Sequence, residues 1–334
     1  MAIKSYKGFD KNLRCRGFQY KIGGIYEMDG KIKMCNRGFH ACESPFDVFD
    51  YYTMIDSRFC EVEQDGNISK EDRGTKICSS KIKIKAELKL ADMINLGVEW
   101  LKEITSPEKI KTSIKDNSSG YGAQIGSSGN GAQIGSSGNG AQIGSSGYDA
   151  QIGSSGYGAK IGSSGYDAKI GSSGNDAKIG SSGYDAQIGS SGYDAQIGSS
   201  GNGAQIGSSG YGAKIGSSGY DAKIGSSGYD AQIGSSGDGA QIGSSGYGAK
   251  ISSSGYGAKI DSTGEDCVIM CAGINSVAKA SKGSWVTLSE WSYSEEKQRY
   301  IPICVKTEFV DGEKIKADTY YSLKGGVFVE WIND

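Results

Sequence analysis

From Tyr121 to Ile260 one nine-residue phrase is written sixteen times, and a period that strict admits few folds besides a solenoid. The phrase reads Tyr/Asn–Gly/Asp–Ala–Gln/Lys–Ile–Gly–Ser–Ser–Gly. Its Ile recurs at Ile125, Ile134, Ile143 and onward to Ile260, with an Ala two places earlier each time. Counting the Tyr/Asn as position one, positions three and five fall on one face of an extended chain, and two and four on the other. That is the alternation of a half-buried strand. The Gly–Ser–Ser–Gly run has no bulk and glycines free to take positive φ, so it is expected to form the corner. Strand plus corner makes half of a flattened coil, and two phrases make one turn of a parallel β-solenoid. About eight coils at ~4.8 Å each give a rod of about 38 Å. A Gly/Ser-rich tract can also be a flexible linker. A linker, however, needs neither Ala nor Ile at fixed spacing, and neither drops out in any of the sixteen phrases.

The 334 residues are enough for two or three domains, and the net charge of −2 gives no broad electrostatic case for nucleic acid or an anionic membrane. No run of eighteen apolar residues occurs, and Met1–Asp10 carries no apolar signal region. The expectation is a protein in the cytoplasm of a bacterial host cell, with no membrane partner. Its eight cysteines, none of them in the sixteen phrases, are expected to be free thiols.

The flanks differ from the array. Residues 1–105 suggest an α+β domain. Gln19–Glu27 and Lys31–Cys35 are expected to pair as a hairpin around Asp29–Gly30. Ser44 and Pro45 open a helix expected over Phe46–Met54. Phe59–Glu63 and Lys76–Leu88 alternate as strands. Ala91–Ile104 spaces Met93, Ile94, Val98 and Leu101 as a helix does. Residues 106–120 are expected to link to the first coil and cap it. The array runs over 121–264 and a degenerate terminal coil over 265–282. A small β cap occupies 283–334, with strands at Ser284–Leu288, Tyr300–Phe309, Lys314–Leu323 and Val327–Trp331. The expected fold class is mainly β, a two-phrase-per-coil parallel solenoid between these two flanks.

The opening Tyr6–Lys7–Gly8–Phe9–Asp10, then Gly38–Phe39–His40–Ala41–Cys42–Glu43, Asp47–Val48–Phe49 and Glu61–Val62–Glu63, resembles phage and prophage proteins that begin with a domain of unknown function. In these a Ser–Gly-punctuated nine-residue repeat and a tail similar to Gly283–Ser284–Trp285 and Val310–Asp311–Gly312 follow. Related arrays tend to carry Thr and Ala at places that are Ile and Gly here. The resemblance implies a phage or prophage setting and no particular activity.

Several constellations invite chemistry. The phrase is comparable to calcium-binding nonapeptides, but the apolar positions are displaced and the Asp of position two is Gly in nine of sixteen phrases. Eleven phrases begin with Tyr. Ladders of Tyr148, Tyr157, Tyr166, Tyr184, Tyr193, Tyr211, Tyr220 and Tyr229, beside Lys160, Lys169, Lys214 and Lys223, form the candidate binding surface, for a protein or a glycan. Nucleic acid is disfavoured, because seven lysines in the array meet a similar number of aspartates. His40, the only histidine, lies near Cys35 and Cys42 in sequence. Their spacing is not a standard zinc pattern, and a core histidine among inert thiols is the better reading. A His40–Cys42 pair with Glu61 and Glu63 supplies the candidate catalytic residues. Tyr6–Lys7–Gly8, the Gly38–Cys42 segment and Glu61–Val62–Glu63 loosely resemble the stations of ADP-ribosyltransferases, although the arginine is Lys7 and the Ser–Thr–Ser is missing. No cofactor or metal is called for. The leading expectation is a non-catalytic rod that binds a protein partner, a host protein in the phage setting, or self-assembles as a homo-oligomer. An N-terminal enzyme, ADP-ribosyltransferase-like, with the rod as spacer is one alternative, and a calcium-binding or glycan-binding repeat rod is the other.

Overall fold

The computed structural model describes residues 2–53, 56–71, 75–104 and 120–332. The chain divides into two compact units, Met1–Trp100 and Leu101–Asp334.

In the first unit β1 (Ile3–Phe9), β2 (Ile25–Glu27), β3 (Phe39–Cys42), β4 (Arg58–Lys70) and β5 (Lys76–Leu88) form one antiparallel sheet. Its order is β2–β5–β3–β1–β4, and β4 also pairs with β5, so β1, β4, β5 and β3 close a ring. Phe9, Leu13, Phe39, Ala41, Val62, Ile82 and Ile84 fill the interior. A buried Gln64 donates to the carbonyl oxygen of Phe39 at 2.9 Å and accepts from Ser5 Oγ at 2.8 Å, which satisfies the amide away from water. The helix α1 (Leu90–Ile104) follows and buries Met93, Ile94, Val98 and Leu101, the residues its spacing singled out.

Two local expectations fail here. The hairpin of Gln19–Glu27 with Lys31–Cys35 does not form. β2 pairs instead with β5, Ile25 opposite Lys83, and the Met28 N–H donates to Ser80 O at 2.9 Å. A long strand already in the sheet offers a continuous ladder, whereas Lys31–Cys35 keeps only an isolated bridge between Lys33 and Arg37. The helix expected over Phe46–Met54 is a short 3₁₀ segment, Phe46–Asp50, with Pro45 in the N-cap place. Ser44 Oγ still accepts the Asp47 N–H, at 3.4 Å. Met54 lies outside the described residues, as does all of the expected linker 106–120 except Gly120.

The second unit is mainly a parallel β-solenoid of about nine turns over residues 124–288. Strands from alternate phrases stack in two sheets. Gln124–Ser127 pairs with Gln142–Ser145 eighteen residues on, in exact register Ile125 to Ile143, and Gln133–Ser136 pairs in the same way with Gln151–Ser154. We call them the odd sheet (first, third and later alternate phrases) and the even sheet. The coil is two phrases long, as the pattern requires. The stack continues beyond the sixteen phrases. Val268–Cys271 and Val277–Ala280 continue the odd and even sheets, and Trp285–Leu288 adds half a turn before the stack turns antiparallel.

The corner is displaced from its expected place. The strand occupies positions four to seven, Gln/Lys–Ile–Gly–Ser, and the turn falls on positions nine, one and two. Positive φ belongs to position two, at 52–56° in Asp149, Asp167, Asp176, Asp185, Asp194, Asp221 and Asp230 and at 64–70° in the glycines. Gly and Asp are among the residues that tolerate this left-handed region, which explains why position two alternates between these two and nothing else. Positions three, five, seven and nine point inward, so Ala, Ile, Ser and Gly make the core. At position nine the coils approach so closely that a Cβ on Gly183 would run into the carbonyl oxygen of Gly165, and the same holds at Gly147, Gly201 and Gly219 with the coil before.

At the C-terminus Trp285–Ser294 and Arg299–Phe309 form a hairpin on the odd sheet, and Tyr321–Lys324 with Val327–Glu330 extends the even sheet. The strand expected from Lys314 begins only at Tyr321. Asp311 Oδ1 accepts the N–H groups of Glu313 and Ile315 at 2.9 and 3.1 Å and ties that stretch into a loop.

Candidate functional site

Two regions have the geometry of a site. The first is a cavity of about 900 Å³ in the N-terminal unit, between β1, β2, β3, the 3₁₀ segment and the tight hairpin Arg14–Cys15/Phe18–Gln19. Strand alternation aims Ser5, Lys7 and Phe9 to one side of β1, and this puts a lysine where an apolar residue is the rule. Lys7 is 5 % exposed. Its ammonium donates to His40 O at 3.0 Å and lies 3.5 Å from Cys15 Sγ. Burial lowers its pKa, offset in part by the neighbouring Cys15.

His40 and Cys42 both line this cavity. His40 Nε2 accepts the Cys35 N–H at 3.0 Å, and burial together with the charges of Lys7, Arg16 and Lys76 holds its pKa below the ordinary value. The ring is therefore set up as a neutral acceptor. Cys42 is buried and its thiol is pushed up to about 12, which leaves almost no thiolate for attack. Glu61 and Glu63 are not brought to the cavity. Glu61 meets Lys4 at 2.9 Å, and Glu63 meets Lys85 at 2.7 Å on the outside of the sheet. Among the described residues no three of His, Cys, Asp and Glu gather as a metal would need, and the cysteines are free thiols. Lys7, Arg16, Arg37 and Lys76 are the lining residues that sequence reasoning missed as a group. The available signal was Lys7 at an inward strand position.

The second region is the solenoid surface. Its tyrosines stand in two columns at the corners. Tyr148, Tyr166 and Tyr184 stack at 5.0–5.1 Å and within 12° of parallel, while Tyr193, Tyr211 and Tyr229 follow one another at 6.3 Å and more steeply tilted. Tyr157 and Tyr220 are exposed in the same two columns. Where Asn replaces Tyr, its side chain accepts the N–H of the residue one coil on, as Asn175 does from Tyr193 at 3.0 Å. The tyrosines and lysines expected to act together are thus separated, the former at corners and the latter on sheet faces. The lysines are divided again. Lys160 and Lys214 are exposed on the odd sheet, whereas Lys169 and Lys223 are half-buried on the even sheet.

The two sheets differ most at position six. In the even sheet all seven glycines there, Gly135 to Gly243, are buried, and Gln187 and Gln205 beside them are buried too. In the odd sheet Gly126, Gly144, Gly162, Gly180, Gly198 and Gly216 are exposed, and a Cβ on any of them would meet nothing within 4 Å. They floor a long shallow trough of about 1450 Å³, flanked by Lys160, Lys178, Lys214, Lys250 and glutamines, with no carboxylate along it among the described residues. Its C-terminal end is apolar: Val268, Met270, Trp285 and Phe309 are exposed side by side in register.

Residues 3–96 match a family described as a domain of unknown function, DUF7666. No curated protein and no solved structure matches the chain. The chain is thus a β-solenoid repeat protein carrying this domain at its N-terminal end.

Proposed function

We propose that the solenoid is a non-catalytic scaffold whose odd face docks a segment of another protein. The observation that carries this reading is the row of glycines that the fold does not require. An interior strand glycine costs about 0.5–1 kcal/mol relative to alanine, and glycine in a strand often marks a place where another backbone or a ligand comes close. Ser252, Met270 and Thr287 occupy the same column at the C-terminal end, so larger side chains fit. Coil duplication alone would also copy glycine, but the array has diverged at positions one, two and four while fourteen of sixteen phrases keep Gly at position six.

The occupant is a protein segment with an apolar ridge to lie on the glycine floor and acidic side chains to meet the lysine row. Complementary charge at the rim and an apolar centre are the ordinary division of labour at an interface. In the phage or prophage setting that the sequence resembles, this partner is a host protein, and a reducing cytosol suits the free thiols.

The test introduces Glu at Gly162, Gly180 and Gly198 together. The Cβ space is open, so the circular dichroism spectrum and melting temperature should hold. A partner captured by the unaltered chain, purified and titrated back, should lose at least tenfold in affinity for the variant and should contact the chain through an acidic, apolar segment. Undiminished binding to a folded variant would overturn the reading.

A further inference from the structure

The N-terminal cavity holds four cations, and none of them is paired with a carboxylate among the described residues. Lys7 is buried with a carbonyl oxygen and a thiol for company. Arg16 extends from the hairpin turn and forms no ion pair with any described residue. Arg37 donates to Asp29 O at 2.6 Å, and Lys76 lies 4.0 Å from the centre of the Tyr51 ring. The single carboxylate of the lining, Glu27, is 3.4 Å from Lys81 Nζ. Burying an ammonium without a counter-ion is costly. Surface lysines elsewhere in this unit, Lys4, Lys70 and Lys85, do have carboxylate partners. What sets the cavity apart is that one of its unpaired cations, Lys7, is buried and three more line the same space.

Backbone strain collects at the same place. Arg16 and Cys35, both in the lining, hold φ at 50° and 61°. Arg16 and Gly17 (φ 79°) are the central pair of a two-residue hairpin turn, where Asn–Gly is the favourable choice. An arginine there accepts a conformational cost and delivers its guanidinium to the cavity mouth. Around the cations stand rings. Phe18, Tyr20 and Tyr26 pack edge to face at 4.8–5.4 Å, Phe18 is half exposed, and Tyr52 Oη lies 2.9 Å from Cys15 Sγ.

We propose that this cavity binds a small molecule combining a phosphate with a planar ring, a nucleotide in chemical class. The cations take the phosphate, for which arginine forks are well matched, and Phe18 with Tyr26 takes the ring. The volume lies within the range of small-molecule sites. Neither Cys42 nor His40 needs to react in this account. His40 instead fixes Lys7 through its backbone carbonyl.

Calorimetric titration of the full chain tests this with three probes: adenosine monophosphate, adenosine and inorganic phosphate. Adenosine monophosphate should bind at least tenfold more tightly than either fragment and raise the melting temperature. Arg16→Ala and Arg37→Ala should each weaken it about tenfold while leaving the ligand-free melting temperature in place. Phe18→Ala should remove its advantage over phosphate. Lys7→Met should abolish binding, but the arginine variants decide the matter should Lys7→Met fail to fold. No heat with adenosine monophosphate at millimolar concentration would overturn the proposal, as would equal binding of phosphate alone or undiminished binding by both arginine variants.

Discussion

The odd and even sheets are written in one phrase, yet their outward faces have different surroundings. The even face is buried at all seven of its position-six glycines, and the odd face is open at six of its own. Identical sequence in two environments separates what the coil needs from what its surroundings need. Inward positions three, five, seven and nine are buried in both sheets, so Ala, Ile, Ser and Gly there answer to the coil itself. Position six answers to whatever approaches from outside, and on the odd face the described residues supply nothing within 4 Å of a Cβ there.

The largest effect should come from a position where the two sheets agree. Gly183→Ala places a Cβ against the carbonyl oxygen of Gly165, a backbone atom that cannot turn aside. Overpacking of a core commonly costs about 1–3 kcal/mol and occasionally more, and a rigid stack should sit at or above the top of that range. Gly192→Ala, against Gly174 in the other sheet, should cost as much. Urea melts of both variants check this. A mild cost in one sheet alone would mean that the coils do not stack equivalently, and the comparison of outward faces would lose its baseline.

An intermediate effect separates the faces. Gly162→Thr adds a strand-favouring side chain in open space, and its stability should hold or rise by up to about 1 kcal/mol. Gly171→Thr adds the same atoms at a buried site and should destabilise by about 1–3 kcal/mol. The pair is one experiment. Equal melting temperatures would show that the even face yields freely, and the glycines of the odd face would then need an explanation that both faces share.

The solenoid was legible because its signal is periodic. Ile125 and each Ile after it fix the strand, and an Ala two places before fixes the inward face. The corner was misplaced because glycine composition is a poor guide to where φ turns positive. In this phrase the glycines of positions six and nine are not among the positive-φ residues, and the informative signal was Asp exchanging with Gly at position two, which can be read as a left-handed site. The difference between the faces was invisible, since the phrase carries no mark of its surroundings. In the N-terminal unit the long strand Lys76–Leu88 and the helix were legible from alternation and spacing. The cavity was not, because Lys7, Arg16, Arg37 and Lys76 lie far apart in sequence and only the closing of β1, β4, β5 and β3 gathers them. His40 and Cys42 did reach the cavity, while Glu61 and Glu63 were already committed to Lys4 and Lys85.

The smallest effect bears on whether the contrast is wholly outward. Position seven presents a serine to the core in all sixteen phrases, and in both sheets most of these hydroxyls find no partner among the described residues. Ser163 Oγ in the odd sheet and Ser190 Oγ in the even sheet are two such atoms. A buried hydroxyl without a hydrogen bond is a desolvation cost, and its removal leaves a void no larger than one oxygen. Ser163→Ala and Ser190→Ala should therefore each change stability by less than about 1 kcal/mol, in the stabilising direction. Ser276 in the terminal coil is the control, since its hydroxyl accepts the Ala258 N–H at 3.0 Å and donates to Gly255 O at 3.1 Å. Ser276→Ala should cost about 1–3 kcal/mol by leaving those groups unpaired. Matching gains at Ser163 and Ser190 would place the difference between the sheets entirely on their outer faces. A gain in one and a loss in the other would move part of it into the core, where one sheet would then be holding its serine by a bond that the other lacks.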